Sequence, residues 1–170
     1  LQHDQLEEIL SDATFERSET VLGAFAEYTY QPNEQFTALL GVRGDWHNQF
    51  GVFLTPRLHL RYGPSEQTVL RFAAGQGRRT ASIIAENIGM LATSRRIIFE
   101  DNNSDTPYGL NQEISWNTGL SLRQTFEVQN SEMIFTLDAY HTRFDQQIVV
   151  DYENVREVSF YNLDGQSFSN

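Results

Sequence analysis

The stretch Thr55-Pro56-Arg57-Leu58-His59-Leu60-Arg61-Tyr62 decides how the rest of this chain is read. From Arg57 onward charged and apolar residues alternate. Successive side chains of an extended backbone point to opposite faces, so Leu58, Leu60 and Tyr62 share one side and Arg57, His59 and Arg61 the other. A soluble core has no place for the second set. Strands with lipid on one face and a wet lumen on the other produce this pattern, in segments of about ten residues separated by turn residues.

The alternation recurs along the chain and predicts seven strands, at 19–30, 35–47, 55–62, 67–75, 112–127, 132–145 and 155–162. Residues 31–35, 63–67 and 128–132 are compact polar turns, with Pro32, Asn33, Pro64 and Asn130 where turn geometry favours them. The remaining connections are longer: 47–54 and 145–154 are moderate, 76–111 is very long, and 1–18 reads as loop. Long connections therefore fall on one end of the array and short turns on the other. The expected fold is all-β, an antiparallel up-and-down meander in chain order, forming a segment of the wall of a larger transmembrane β-barrel. Short turns of such barrels face the periplasm and long loops the exterior.

Aromatic placement agrees, since the lipid-facing band of a barrel is bounded by aromatic girdles. If Arg43 and Asp45 face the lumen, then Phe36, Ala38, Leu40, Val42, Gly44 and Trp46 face out. The same parity sends Trp116, Leu120, Leu122 and Phe126 outward and Ser115, Asn117, Ser121, Arg123 and Glu127 inward. Trp46 and Trp116 then lie at the loop end and Phe36 and Phe126 at the turn end, joined there by Tyr28, Tyr30 and Tyr62. Ten residues at a rise of ~3.3 Å, tilted by ~45°, span ~23 Å, close to the apolar band of such a wall. The long connection carries one helical hint, Ile84, Ile88 and Leu91 at i, i+4 and i+7, followed by Arg95 and Arg96.

The chain has 170 residues and a formal net charge of −11, which argues against nucleic acid as a partner because phosphate binding wants a basic face. There is no cysteine, hence no disulfide or thiolate metal site. Mean hydropathy is −0.45, as an alternating wall averages to polar values. The chain begins at Leu1 without an initiator Met, and both ends read as cuts in something longer. Nucleophile elbow, phosphate loop and zinc-ligand spacing are all missing, so neither an enzyme nor a cofactor or metal is expected. His59, between Arg57 and Arg61, reads as a hydrogen-bonding residue of the lumen wall. Asp45 and His47 read as rim residues facing the lumen, with Trp46 turned to lipid.

Several stretches together resemble the mid-barrel region of TonB-dependent outer-membrane receptors: Gly23-Ala24-Phe25-Ala26-Glu27-Tyr28, Gly41-Val42-Arg43-Gly44-Asp45, residues 55–62 and Val69 through Gly75-Gln76-Gly77-Arg78-Arg79-Thr80-Ala81. Ala85-Glu86-Asn87-Ile88-Gly89 and Tyr161-Asn162-Leu163-Asp164-Gly165 add to it. The resemblance implies a Gram-negative outer-membrane barrel of about 22 strands, closed by a plug, of which this chain is about a third. It also implies import of a scarce ligand such as a ferric siderophore or cobalamin, with TonB acting through a plug region outside this chain. On that reading outer-membrane lipid meets the apolar face, and Arg43, Arg57, His59, Arg61, Arg71 and Arg123 line the lumen against the plug. Arg78 and Arg79, with Asp45 and His47, would meet the ligand at the mouth. The rival reading is a soluble β-barrel or sandwich binding a small ligand or a protein. A fragment of wall would also have open edge strands, prone to pair with other copies.

Overall fold

The computed structural model describes residues 2–10, 13–90, 95–99, 106–129, 131–151, 153 and 156–169. Among the described residues nine strands form one sheet: β1 Gln2–Leu10, β2 Ala13–Tyr30, β3 Phe36–His47, β4 Gly51–Tyr62, β5 Thr68–Arg79, β6 Arg96–Phe99, β7 Glu113–Val128, β8 Ser131–Asp151 and β9 Glu157–Ser169. Their order across the sheet is β1-β2-β3-β4-β5-β7-β8-β9-β6. Every pairing between chain neighbours is antiparallel, as the alternation predicts.

Register fixes which residues share a face, because directly opposed residues of an antiparallel pair project to the same side. Tyr28, Leu40 and Leu58 lie opposite one another, and Leu60, Phe72, Leu120 and Ala139 form the next such row. On the other side Arg61, Arg71, Ser121 and Asp138 form one row, and Glu27, Gly41, Arg57, Gly75, Asn117 and Thr142 another. The apolar face lies open: Leu40 is 50% exposed and Leu137 57%. A monomer in water rarely shows so large an apolar patch. The alternation has exceptions. Phe25 and Tyr140 lie on the polar face, and His141 and Arg143 interrupt the apolar face near the loop end of β8.

Four expectations need correction. Where residues 1–18 read as loop, residues 2–10 and 13–18 are strand, since β1 and the start of β2 pair with Gln2 opposite Val21 and Leu10 opposite Ala13. Gln2 to Gln5 are exposed, and a strand wet on both faces needs no apolar alternation. The moderate connections are shorter than expected because strands continue through them. β4 begins at Gly51, whose φ of +72° suits glycine in the turn, and β8 runs to Asp151. The helical hint amounts to one turn, Ile83–Glu86, followed by a 3-10 turn at Ile88–Met90, while Leu91 lies outside the described residues. Finally, the long connection contributes β6, which pairs in parallel with β9, Arg96 opposite Glu157 and Phe99 opposite Phe160. The simple meander therefore holds for eight strands, and the ninth is a parallel addition from the loop.

That addition has a packing cause. Ala81, Ile83, Leu110, Val158 and Phe160 form a buried cluster, with Ile97, Phe99, Tyr108, Ile148 and Val150 packed around it. The Phe99 ring stacks on Phe160 at 5.3 Å and meets Tyr108 at 5.4 Å. Three consecutive apolar residues, Ile97-Ile98-Phe99, gain burial only by reaching β9. We refer to this cluster as the cap.

Candidate functional site

The polar face of β2 to β8 and the cap at its loop end bring together most of the charged residues singled out from sequence. Glycines let these side chains lie close to the sheet. Arg43 makes a two-pronged contact with Asp45, Nε donating at 2.8 and 3.0 Å and Nη2 at 2.6 Å. The pair crosses Gly23, where an added Cβ would come within 2.1 Å of the Asp45 Oδ1. The stem of Arg57 lies over Gly41 in the same way, 2.7 Å from where a Cβ would stand. Arg61 donates to the carbonyl of Glu34 at 3.3 Å. Arg57, His59, Arg71 and Arg123 make no hydrogen bond or ion pair among the described residues. The three arginines are cations and donors on an open face, with Asp138 two strands from Arg71 in the same row.

At the loop end the side chains are committed to structure. Asp45 and His47 are buried; His47 Nδ1 accepts from the amide of Gln49 at 3.2 Å and its ring meets Phe50 edge-on at 4.9 Å. Arg79 is bound to two carboxylates, Glu113 at 2.5 Å and Glu86 at 3.0 Å. The other oxygen of buried Glu113 accepts from the amide of Ile148 at 3.1 Å, so this knot ties β5, β7, β8 and the helical turn. Arg78 does not act with Arg79. β5 continues to Arg79, so the two neighbours point to opposite faces: Arg79 opposes Glu113, while Arg78 opposes Ile114 on the side of Trp116. Among the described residues no group of three His, Asp or Glu side chains is placed to hold a metal.

Sequence reasoning missed Arg17. It is buried on β2, paired with Glu19 at 3.4 Å, and donates to the carbonyl of Ala81 and to Ser82 Oγ, both at 3.1 Å. The long connection is thus fastened across the polar face from β5 to β2 on one side and β9 on the other. Placing residues 1–18 in a loop hid this anchor, and the alternation of Arg17, Glu19 and Val21 on one face was the available signal. The aromatic residues Tyr28, Tyr30, Phe36, Trp46, Tyr62, Trp116 and Phe126 all stand on the apolar face, with Phe36 directly opposite Tyr62 at the turn end.

The profile of the TonB dependent receptor-like β-barrel family matches residues 5–169, nearly the whole chain. The chain belongs to the TonB-dependent receptors. Members are outer-membrane receptors and transporters of Gram-negative bacteria, not enzymes, and act with a bound ligand and TonB. The fold is similar to the siderophore receptor PirA from Pseudomonas aeruginosa, with a TM-score of 0.69 and 13% identity over 91% of this chain and 30% of that one. A ferric enterobactin receptor (PfeA) mutant from the same organism gives 0.67 and 14% over 93% and 24%. PirA from Acinetobacter baumannii gives 0.63 and 12% over 94% and 26%. No curated protein matches. The chain thus spans between a quarter and a third of these receptors, as one sector of receptor barrel wall.

Proposed function

We propose that the intact protein imports an anionic ferric siderophore across the outer membrane. The observation that carries this reading is the polar face itself: Arg57, Arg71 and Arg123 share it and form no ion pair among the described residues, although Glu66, Glu127 and Glu132 line the same depression as Arg123. A passing chelate, or acidic groups of a plug, would supply the missing negative charge through charge-assisted hydrogen bonds. Arg43, Arg61 and His59 share that face and the same plug-side role. Cobalamin, the other ligand class considered, offers less negative charge to such a wall. The structural relatives named above as a ferric enterobactin receptor and siderophore receptors support the iron reading.

At the mouth the ligand-facing role passes from Arg79, held by two carboxylates, to the rim around it. Asp45 and His47 support that rim from beneath. The test is uptake of a radiolabelled ferric catecholate and of radiolabelled cobalamin by cells whose only receptor is the full-length protein, with and without TonB. TonB-dependent uptake of the iron chelate alone is expected. Uptake of cobalamin alone would overturn the ligand assignment.

A further inference from the structure

β4 and β5 are paired only from Arg57 opposite Gly75 to Tyr62 opposite Leu70. Toward the loop end residues 51–56 remain bonded to β3 and residues 76–79 to β7, but not to each other. The wall therefore has a fissure there. It opens at Pro56, which has no N–H to give a neighbouring strand and is tolerated only where a ladder is interrupted. It runs through the level of the tryptophans, since Gln76 at its lower end opposes Trp116 and Val52 near its upper end opposes Trp46. The fissure thus lies at the loop-side edge of the apolar band, where unpaired main-chain groups are costly unless something satisfies them.

Two side chains meet inside it. Arg78 starts on the apolar side of β5, whereas Phe53 opposes Asp45 and so starts on the polar side of β4. The Arg78 guanidinium nevertheless lies over the Phe53 ring at 4.8 Å, a cation–π contact made through the gap. Among the described residues its one other contact is a bond from Nε to Gln76 Oε1 at 3.2 Å, and no carboxylate pairs with it. Directly below, the apolar face is hollowed where small residues replace large ones. The hollow, about 550 Å³, is lined mostly by apolar residues, among them Leu40, Val42, Pro56 and Ala74 with Trp116, while Glu27 and Arg57 also contribute to its lining.

We propose that hollow and fissure bind one phosphorylated lipid of the loop-side leaflet, its acyl chain in the hollow and its phosphate on Arg78. An unneutralised guanidinium at headgroup level, directly above an apolar trough, matches that chemistry: the guanidinium fork suits phosphate oxygens, and exposed amides of the fissure edges can take the rest of the headgroup. A zwitterionic lipid fills the trough equally well but presents its own cation beside Arg78. The site faces lipid rather than lumen, so it is independent of which ligand the receptor imports.

The test uses full-length receptor in phosphatidylcholine nanodiscs doped with phosphatidic acid, and counts retained lipids by native mass spectrometry. Wild type should retain one phosphatidic acid in preference to phosphatidylcholine by about tenfold, a difference typical of one charge-assisted contact. Arg78→Gln should abolish the preference and Arg78→Lys keep part of it. Ala74→Phe, which fills the trough and leaves Arg78 in place, should also lose the lipid. Arg143→Gln removes a cation of the same face already paired with Asp145 at 3.4 Å, and should change nothing. No preference in wild type, or a preference that survives Arg78→Gln, overturns the proposal.

Discussion

The cap and the wall are built from one sheet, yet only the cap has an interior. In the cap Val158 is fully buried and Ile83 is 2% exposed, whereas on the wall Leu137 and Phe135 are more than half exposed. Three strands, a helical turn and one 3-10 turn cover the cap's apolar residues from several sides. The wall has one layer and offers each face to a different medium. The cap is therefore stabilised by its own packing, while the wall relies on lipid on one side and on lumen contents on the other.

The largest effect that should separate the two regions comes from Phe160→Ala in the intact receptor. It removes a ring packed against Phe99 and should cost about 3–5 kcal/mol locally. Hydrogen exchange should then accelerate across residues 81–110 and remain slow in β3 and β4; equal loosening of both would erase the distinction drawn here. Next in size is Leu40→Arg on the apolar face, expected to cost ~2–4 kcal/mol in equilibrium folding into vesicles. Ser121→Arg on the polar face should cost little in the same assay. A penalty of similar size at both positions would mean that the faces do not meet different media.

A smaller effect is expected where cap and wall meet. Arg17→Met removes the two bonds to Ala81 and Ser82, a loss of about 1.5–3 kcal/mol for bonds from a charged group, and should free the long connection to protease without changing the wall's folding. Smallest of all, Gly23→Ala pushes the Arg43–Asp45 pair off the sheet. Arg43 is 47% exposed, so screening leaves the pair little net worth, and a barely measurable loss of stability is expected in denaturant titration.

What was legible in the sequence follows the same division. Strands that separate two media must alternate, so the positions of β3, β4, β5 and β7 and their facing residues could be read from Phe36–Trp46, Arg57–Tyr62 and Trp116–Phe126. Above the apolar band that selection vanishes. β1 carries a run of polar and acidic residues that has the composition of a loop, and β8 continues through Gln146 and Gln147, which no periodicity marks. β6 was hidden for another reason: four residues cannot display a period, and their pairing with β9 joins segments about sixty residues apart. Charged candidates divided likewise. Arg57, Arg71 and Arg123 sit on the polar face where parity puts them, the last two toward the turn end, whereas Arg78 and Arg79 read as a pair only if β5 ends at Gly75, and it runs on to Arg79.

The central claim is that this sheet stands between lipid and a wet lumen, and site-directed spin labels in the full-length receptor in vesicles test it most directly. Labels replacing Leu40, Leu58, Leu120 and Leu137 should relax with oxygen dissolved in the bilayer and ignore a water-soluble nickel chelate, while labels replacing Arg57, Arg71, Ser121 and Arg123 should show no such lipid-side response. Equal response of the two sets to both quenchers would contradict the account.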